Sequence, residues 1–406
     1  MEILNPSSLS QGLGLKTLEQ ALIRTKSNAA LKIGLPKERS NEERRICLTP
    51  GGVSVLVANG HQVVVEKGAG EAAHFPDTEY SEVGAEIALS PEELYKKSDL
   101  ILKIAPPVEE EMEWMKPNQV IFSALHLGNL KAEFLQKLVQ KNITGIGFEF
   151  IQTSDGSFPI VRMLHEITGS LAVQIAVHYL ETSTGGQGVL LGGISGVPPA
   201  TVLILGAGII GEYAARTAIG YGAQVFVLDN DLSALRRIES ALNRRVHTAM
   251  ANVQYLASAL PYADVVIGAA MEEGNRAPVL ITEAMVESMK AGSVIVDAVI
   301  DQGGCVATSR PTTHSKPVYR AFDVVHYCVP NIPSNVARTS TYALNNVMVP
   351  FLVSIGDAGG INEALWSNTA LRNGTYIYKQ HLTKKNLSRF FNLPYRDIEM
   401  LIASRI

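Results

Sequence analysis

An α/β fold built as two doubly wound, parallel-sheet domains is what this sequence predicts, and three observations predict it. Short apolar, β-branched runs alternate with helical patterns along most of the chain. One such run, at 200–205, leads straight into three glycines at G-x-G-x-x-G spacing, Gly206, Gly208 and Gly211. The 406 residues, 46% of them hydrophobic, exceed what a single core usually organises and suit two domains. Together these describe two Rossmann-like domains with a cleft between them, the first of them discontinuous.

Residues 1–30 form a polar extension with one short helical candidate at 15–24. The alternation then begins with a strand at 31–35, a helix at 50–59, a strand at 62–66 and a helix opening at 91–97. Strands at 100–104 and 120–123, an amphipathic helix at 130–141 and a strand at 144–148 follow. These make a parallel-sheet domain with no glycine fingerprint of its own. Residues 164–183 read as a long helix leaving it, and the glycine-rich run 184–196 as a mobile hairpin or a solvent-exposed connector. A nucleotide-type domain then covers about 200–330, with further strands at 223–228, 265–269 and 294–299.

A second long helix, 340–354, is apolar enough to be buried. The tail, 362–406, is helical and polar in turn and too small for a core of its own, so it is expected to return to the first domain. The expected boundaries are 1–163 and 339–406 for the discontinuous substrate domain and 164–338 for the nucleotide domain.

Bulk properties narrow the function. Charge is near balance, 35 basic against 39 acidic residues, and no basic block or aromatic-interleaved patch points to nucleic acid. Cys47, Cys305 and Cys328 are too scattered for a disulfide framework or a zinc site, which fits a reducing cytoplasm. No uninterrupted apolar run of about 18 residues marks a membrane span, and the N-terminus lacks a charged-then-apolar signal pattern. The expectation is a cytoplasmic protein with a small-molecule ligand and neither metal nor membrane.

The glycine spacing has a physical reason. Gly206 permits a tight strand-to-helix turn, Gly208 lets the main chain approach a pyrophosphate, and Gly211 lets the helix pack closely on the strand. The unpaired N–H groups at the helix start favour an anion. Asp229, eighteen residues past Gly211, is placed to accept hydrogen bonds from a ribose diol and repels a 2′-phosphate, which argues for NAD over NADP. The run of charged residues 36–45 after the first strand reads either as a solvated loop or as an anion-binding loop in which an arginine grips a carboxylate with both prongs. His126, at the end of the 120–123 strand, is either a satisfied core histidine or a general acid/base. Asp297 and Asp301 bracket the end of the 294–299 strand, where an acid could cap the turn before Gly303 or face the nicotinamide.

The segments G-L-P-K-E-R-S-N-E-E-R-R-I-C-L-T-P (34–50), A-L-H-L (124–127), V-D-A-V-I-D-Q-G-G-C (296–305), S-R-P-T-T (309–313) and N-V-A-R-T-S-T-Y-A-L-N-N (335–346) resemble the alanine dehydrogenases. Nicotinamide nucleotide transhydrogenases share part of the pattern. The likeness runs from about 31 to about 395. It implies NAD-dependent oxidative deamination of L-alanine to pyruvate and ammonia, by a homo-oligomer, hexamer or dimer, that uses its long helices as contacts. By the same resemblance Arg45 holds the substrate carboxylate, His126 is the catalytic histidine, Asp301 is the acid beside the nicotinamide, and Asn331 lines the substrate pocket.

Three positions depart from the family pattern. Ala105 stands where a substrate-binding lysine is usual, so Lys103, two residues back on the same face of a strand, is the candidate replacement. His165 stands where a serine near the cofactor is usual and is counted with the cofactor residues. Ile332 stands where methionine is common. A different small amino or oxo acid, a transhydrogenase-like NAD subunit and a catalytically silent NAD-binding protein are the alternatives these departures leave.

Overall fold

The computed structural model describes residues 22, 28–40, 42–126, 130–271 and 276–404. Apart from Leu22, the helical candidate at 15–24 lies outside them. The chain divides into two compact units, Met1–Val161 with Val336–Ile406, and Arg162–Asn335.

Six strands of the first unit run parallel: β1 (Lys32–Leu35), β2 (Gln62–Glu66), β3 (Glu86–Ala88), β4 (Leu100–Leu102), β5 (Val120–Ser123) and β6 (Thr144–Gly147). The second unit contributes β7 (Thr201–Leu205), β8 (Gln224–Asp229), β9 (His247–Met250), β10 (Val265–Gly268), β11 (Val294–Asp297), β12 (Val318–Ala321) and β13 (Val324–Tyr327). The tail supplies β14 (Thr375–Tyr378) and β15 (His381–Leu382) to the first sheet. The sheet orders are β15-β14-β6-β5-β4-β1-β2-β3 and β12-β13-β11-β10-β7-β8-β9. Both contain the same doubly wound core, in which the winding reverses between β4 and β1 in one sheet and between β10 and β7 in the other. Ligands of open α/β sheets gather at the carboxyl ends of strands flanking such a reversal.

Local chemistry explains the elements. The central strands read as continuous apolar runs because helices cover both faces; β7, β10 and β11 are buried almost throughout. The helix Pro50–Ala58 opens with proline in its first turn, and the Thr49 hydroxyl accepts the Gly52 N–H at 3.2 Å. Helix Pro91–Lys97 has Ser90 as its cap, Glu92 and Glu93 in the first turn and Lys96 and Lys97 in the last, which complements its dipole.

Several expectations are corrected. The strand expected at 100–104 ends at Leu102, and the Ile104 N–H donates to Glu38 Oε1 at 2.6 Å; the alternation argument linking Lys103 to position 105 therefore loses its strand. The strand at 144–148 stops at Gly147 and gives way to one 3₁₀ turn, Phe148–Phe150. The tail is not wholly helical: the T-Y-I-Y run of β14, β-branched and aromatic, pairs antiparallel with β6. The segment 184–196 is largely solvent-exposed and ends in a small antiparallel bridge between Ile194 and Val197, but it is anchored at several points. The Gln187 N–H donates to Gly292 O at 3.1 Å, Leu191 is buried, and a Cβ on Gly192 would stand 2.1 Å from Tyr221 O.

The two long helices are Pro159–Leu180 and Ala337–Ala358. The first has the length and apolarity to cross a membrane on composition alone. Its Gly169, however, packs against the helix Ile209–Gly220, where a Cβ would lie 2.3 Å from Ile210 O.

Candidate active site

In the first unit the charged loop after β1 is only partly solvated: Lys37, Ser40 and Arg44 are exposed, whereas Glu43 and Arg45 turn inward. Glu43 and Arg45 are only 7% and 5% exposed and form a two-pronged pair, Arg45 Nε donating to Glu43 Oε1 at 2.7 Å and Nη2 to Oε2 at 2.6 Å. The Arg45 main-chain N–H also donates to Glu43 Oε1, at 3.0 Å, so the carboxylate fixes both ends of the residue. Burial works against the Arg45 charge, but Glu43 and then Glu38 more than reverse this, and the guanidinium pKa is raised. A charge this deep in the fold is tolerable only when paired.

Lys103, 2% exposed, follows β4 at the sheet reversal. It is held by Glu111 Oε2 at 2.8 Å and Glu38 Oε2 at 3.3 Å. Burial lowers its pKa and the two carboxylates raise it further, so it stays an ammonium. Arg39 extends the cluster, donating to both oxygens of Glu66 at 2.9 and 2.8 Å and standing 3.6 Å from Glu111. Burial and its acidic neighbours Glu43 and Glu111 push the Glu38 carboxyl up against the pull of Lys103, and its pKa is raised. Burial drives the nearby Cys47 thiol far above its usual range, so no thiolate nucleophile is available there.

His126 leaves β5 at the same edge. Its side chain is exposed overall, yet the protein around it removes enough water to lower the imidazole pKa. Glu43 pulls that pKa back up, while Arg45 and Lys103 push it down. Arg45, Lys103 and His126 thus share one electrostatic neighbourhood. The His126 backbone is left-handed, with φ 49°, a conformation that costs an ordinary residue roughly 1–2 kcal/mol.

The second unit gathers the glycine loop. Gly206 has φ 106°, and a Cβ there would lie 2.5 Å from Ala269 O, beyond β10. A Cβ on Gly211 would stand 1.9 Å from Gly206 O, so the helix start and the loop touch main chain to main chain. Gly208 caps the helix Ile209–Gly220, and a Cβ there would meet nothing within 4 Å. Close packing therefore accounts for the first and third glycines, and open space above the second fits a pyrophosphate on the helix N-terminus. Asp229, the last residue of β8, accepts the Ala207 N–H at 2.6 Å and the Asp231 N–H at 2.8 Å. Arg237 donates to Ala207 O at 2.8 Å and closes the loop from the other side.

Asp301 is exposed on the single 3₁₀ turn Ile300–Gln302 just past β11. The turn itself is held by Asp297, which is fully buried and accepts the Cys305 N–H at 3.0 Å, so the capping role falls to Asp297. Asn331 follows β13, and its carbonyl accepts from His314 Nε2 at 3.0 Å. His165 lies one turn before Gly169 on the helix Pro159–Leu180; burial lowers its pKa to about 4, so it is neutral at neutral pH.

Sequence reasoning named Arg45, Lys103 and His126 but missed the carboxylates that hold them. Glu38 and Glu43 sat unseen in the charged loop, and Glu111 lies on the short helix Glu109–Trp114, which has no clear apolar period. Glu149 was also missed, although it follows a strand end as Asp301 does. Its Oε1 accepts the N–H groups of Leu125 at 2.8 Å and His126 at 3.1 Å.

Two Rossmann-type units, one with a dinucleotide glycine loop and the other with a buried arginine and a histidine at its sheet edge, define a dehydrogenase. The sequence gives the particular family. Residues 34–168 match the alanine dehydrogenase/PNT N-terminal domain and residues 172–385 the corresponding C-terminal domain. The alanine dehydrogenase of Methanococcus maripaludis is 42% identical over 368 residues, 90% of this chain and 98% of that protein. A solved L-alanine dehydrogenase superposes with a TM-score of 0.85 at 38% identity, covering 89% of this chain and 99% of the other. A transhydrogenase from Sinorhizobium meliloti shares the fold, with a TM-score of 0.73 at 23% identity over 87% of this chain and 99% of that one. This chain belongs to the alanine dehydrogenase/PNT family.

Proposed function

We propose that this protein catalyses the reversible NAD-dependent oxidative deamination of L-alanine, in which alanine, NAD⁺ and water give pyruvate, ammonium, NADH and a proton. The observation that carries the reading is the buried Arg45–Glu43 fork beside His126 at the carboxyl edge of the first sheet. Arg45 binds the substrate carboxylate, its orientation fixed in advance by Glu43, which spares the ordering cost of a free arginine. His126, neutral near pH 7, takes a proton at a ring nitrogen from the water that adds to the imine carbon and returns it in the reverse reaction. Lys103 contributes positive potential from behind Glu38 and Glu111, Asp301 orients the amino group or water, and Asn331 lines the pocket.

The glycine loop would hold the cofactor: the main chain at Gly208 and the start of the following helix receive the pyrophosphate, and Asp229 receives the ribose hydroxyls. Its carboxylate disfavours a 2′-phosphate, which supports NAD over NADP. His165 contributes an uncharged face near the same helix. When bound, NAD supplies the nicotinamide carbon that accepts the hydride from the substrate Cα. We assign substrate binding to residues 1–163 and 339–406, cofactor binding to 164–338, and a homo-oligomer, dimer or hexamer, to the working enzyme.

One observation favours a second reading. Lys103 is committed to two carboxylates and position 105 is alanine, so a different small amino or oxo acid is the alternative substrate. Following NADH formation with purified protein, NAD and a panel of amino acids tests both. Turnover is expected with L-alanine above the rest of the panel. Turnover with another amino acid only would transfer the assignment to that substrate, and NAD binding with no turnover at all would overturn the enzyme reading.

A further inference from the structure

We propose that Glu149 is a positioning residue for this reaction: its carboxylate holds the main chain of His126 and so aims the imidazole. The proposal rests on the reading of His126 as proton carrier. β5 and β6 are adjacent and parallel, with Ser123 level with Gly147, so the chain segments leaving them run side by side. The 3₁₀ turn Phe148–Phe150 brings Glu149 across to the β5 exit, where one oxygen collects two consecutive main-chain N–H groups, from Leu125 at 2.8 Å and His126 at 3.1 Å. Leu125 seats beneath them against Gly147, where a Cβ would lie 3.0 Å from Leu125 Cδ1.

Three features separate this from ordinary loop tethering. First, the held residue is a histidine in a left-handed conformation, φ 49°, so its side-chain direction depends on a backbone state that relaxes without support. Second, the other carboxylate oxygen is buried with no hydrogen-bond partner among the described residues, as is the hydroxyl of Tyr376, whose pKa Glu149 helps to raise. A half-paired buried acid destabilises a fold, which makes it a costly way merely to tie down a loop. Third, the charged groups that bear on the imidazole are Glu43, Arg45 and Lys103, and Glu149 is not among them. Both contacts of its Oε1 with this segment are to main-chain N–H groups, so its action runs through the backbone.

Two conservative variants separate geometry from charge. Glu149→Gln keeps an oxygen at the same reach and loses the charge; Glu149→Asp keeps the charge and retracts the oxygen by one methylene. With thermal melts to confirm folding, Glu149→Asp is expected to lower kcat about 100-fold, the effect of misplacing a catalytic group by about 1 Å, with KM for alanine and NAD affinity within about twofold. Glu149→Gln is expected to keep kcat within about threefold and to leave the acid limb of the kcat/KM pH profile in place. Wild-type kcat in Glu149→Asp, equal damage in both variants, or a displaced acid limb in Glu149→Gln would overturn the proposal. Amide hydrogen exchange at Leu125 and His126 reads the same contact without turnover. Exchange should quicken in Glu149→Asp and stay slow in Glu149→Gln, and unchanged exchange in Glu149→Asp would refute the role even if the wild type proved inactive on alanine.

Discussion

At the scale of single residues, the site is defined by charges that could not be buried alone. Arg45 is held by Glu43 through three hydrogen bonds. Removing it should weaken alanine binding and also strand a carboxylate in the interior, at a cost of about 3–5 kcal/mol. Arg45→Ala should therefore both melt early and lose alanine affinity. The double variant Arg45→Ala/Glu43→Gln should recover much of the melting temperature and none of the affinity. A double variant that regained affinity would show that the carboxylate grip lies elsewhere.

His165 gives a pH signature. Its folded pKa, about 4, lies below the unfolded value near 6.5, so the unfolded chain binds the extra proton first. The stability this group allows is fully present above pH 6.5 and is lost as pH falls toward 4, roughly 3 kcal/mol at the limit. His165→Gln should flatten that part of a stability-against-pH curve measured by urea unfolding; an unchanged slope would mean the imidazole is not shielded.

At the scale of elements, the three glycines make different demands, and substitution tells them apart. Gly208→Ala adds a methyl to open space, so the melting temperature should hold while NAD affinity drops at least tenfold. Gly211→Ala drives a Cβ toward Gly206 O and should lose both. A Gly208→Ala protein with normal NAD affinity would remove the pyrophosphate from this loop. The glycine loop and β2, β5 and the helix Pro91–Lys97 were legible in the sequence because local chemistry sets them: turn glycines, β-branched runs, and a proline start with a serine cap. β14 carried a local signal in its β-branched and aromatic T-Y-I-Y run, but four such residues inside a largely helical tail do not mark a strand without their partner β6, more than 220 residues away. The early end of β4 was hidden for a related reason, since Glu38 from another strand's loop takes the Ile104 N–H. His126 could be named as a residue type at a strand end and an arginine in the 36–45 loop as a class, with the family resemblance selecting Arg45, whereas Glu111 and Glu149 acquire their roles only from contacts the fold makes, with Lys103 and with the main chain of Leu125 and His126.

At the scale of the whole molecule, one winding order is used twice for different chemistry. In each sheet the reversal exposes strand ends, β4 and β1 in one and β10 and β7 in the other. The first has been filled with ionised side chains, Lys103 against Glu38 and Glu111, and the second with bare main chain at Gly208. Charged side chains suit recognition of a small zwitterion, and exposed backbone suits a phosphate diester. The family match spans both halves, residues 34–168 and 172–385, so neither half is an unrelated addition. The central claim is that His126 carries the proton in a reaction whose hydride leaves alanine for NAD. Its most direct test is the NADH progress curve with L-alanine for the wild type and His126→Ala, each with NAD binding measured in parallel. The account predicts NADH from the wild type and none above background from the variant, at equal NAD affinity; an active His126→Ala protein, or a wild type that binds NAD and leaves alanine untouched, would contradict it.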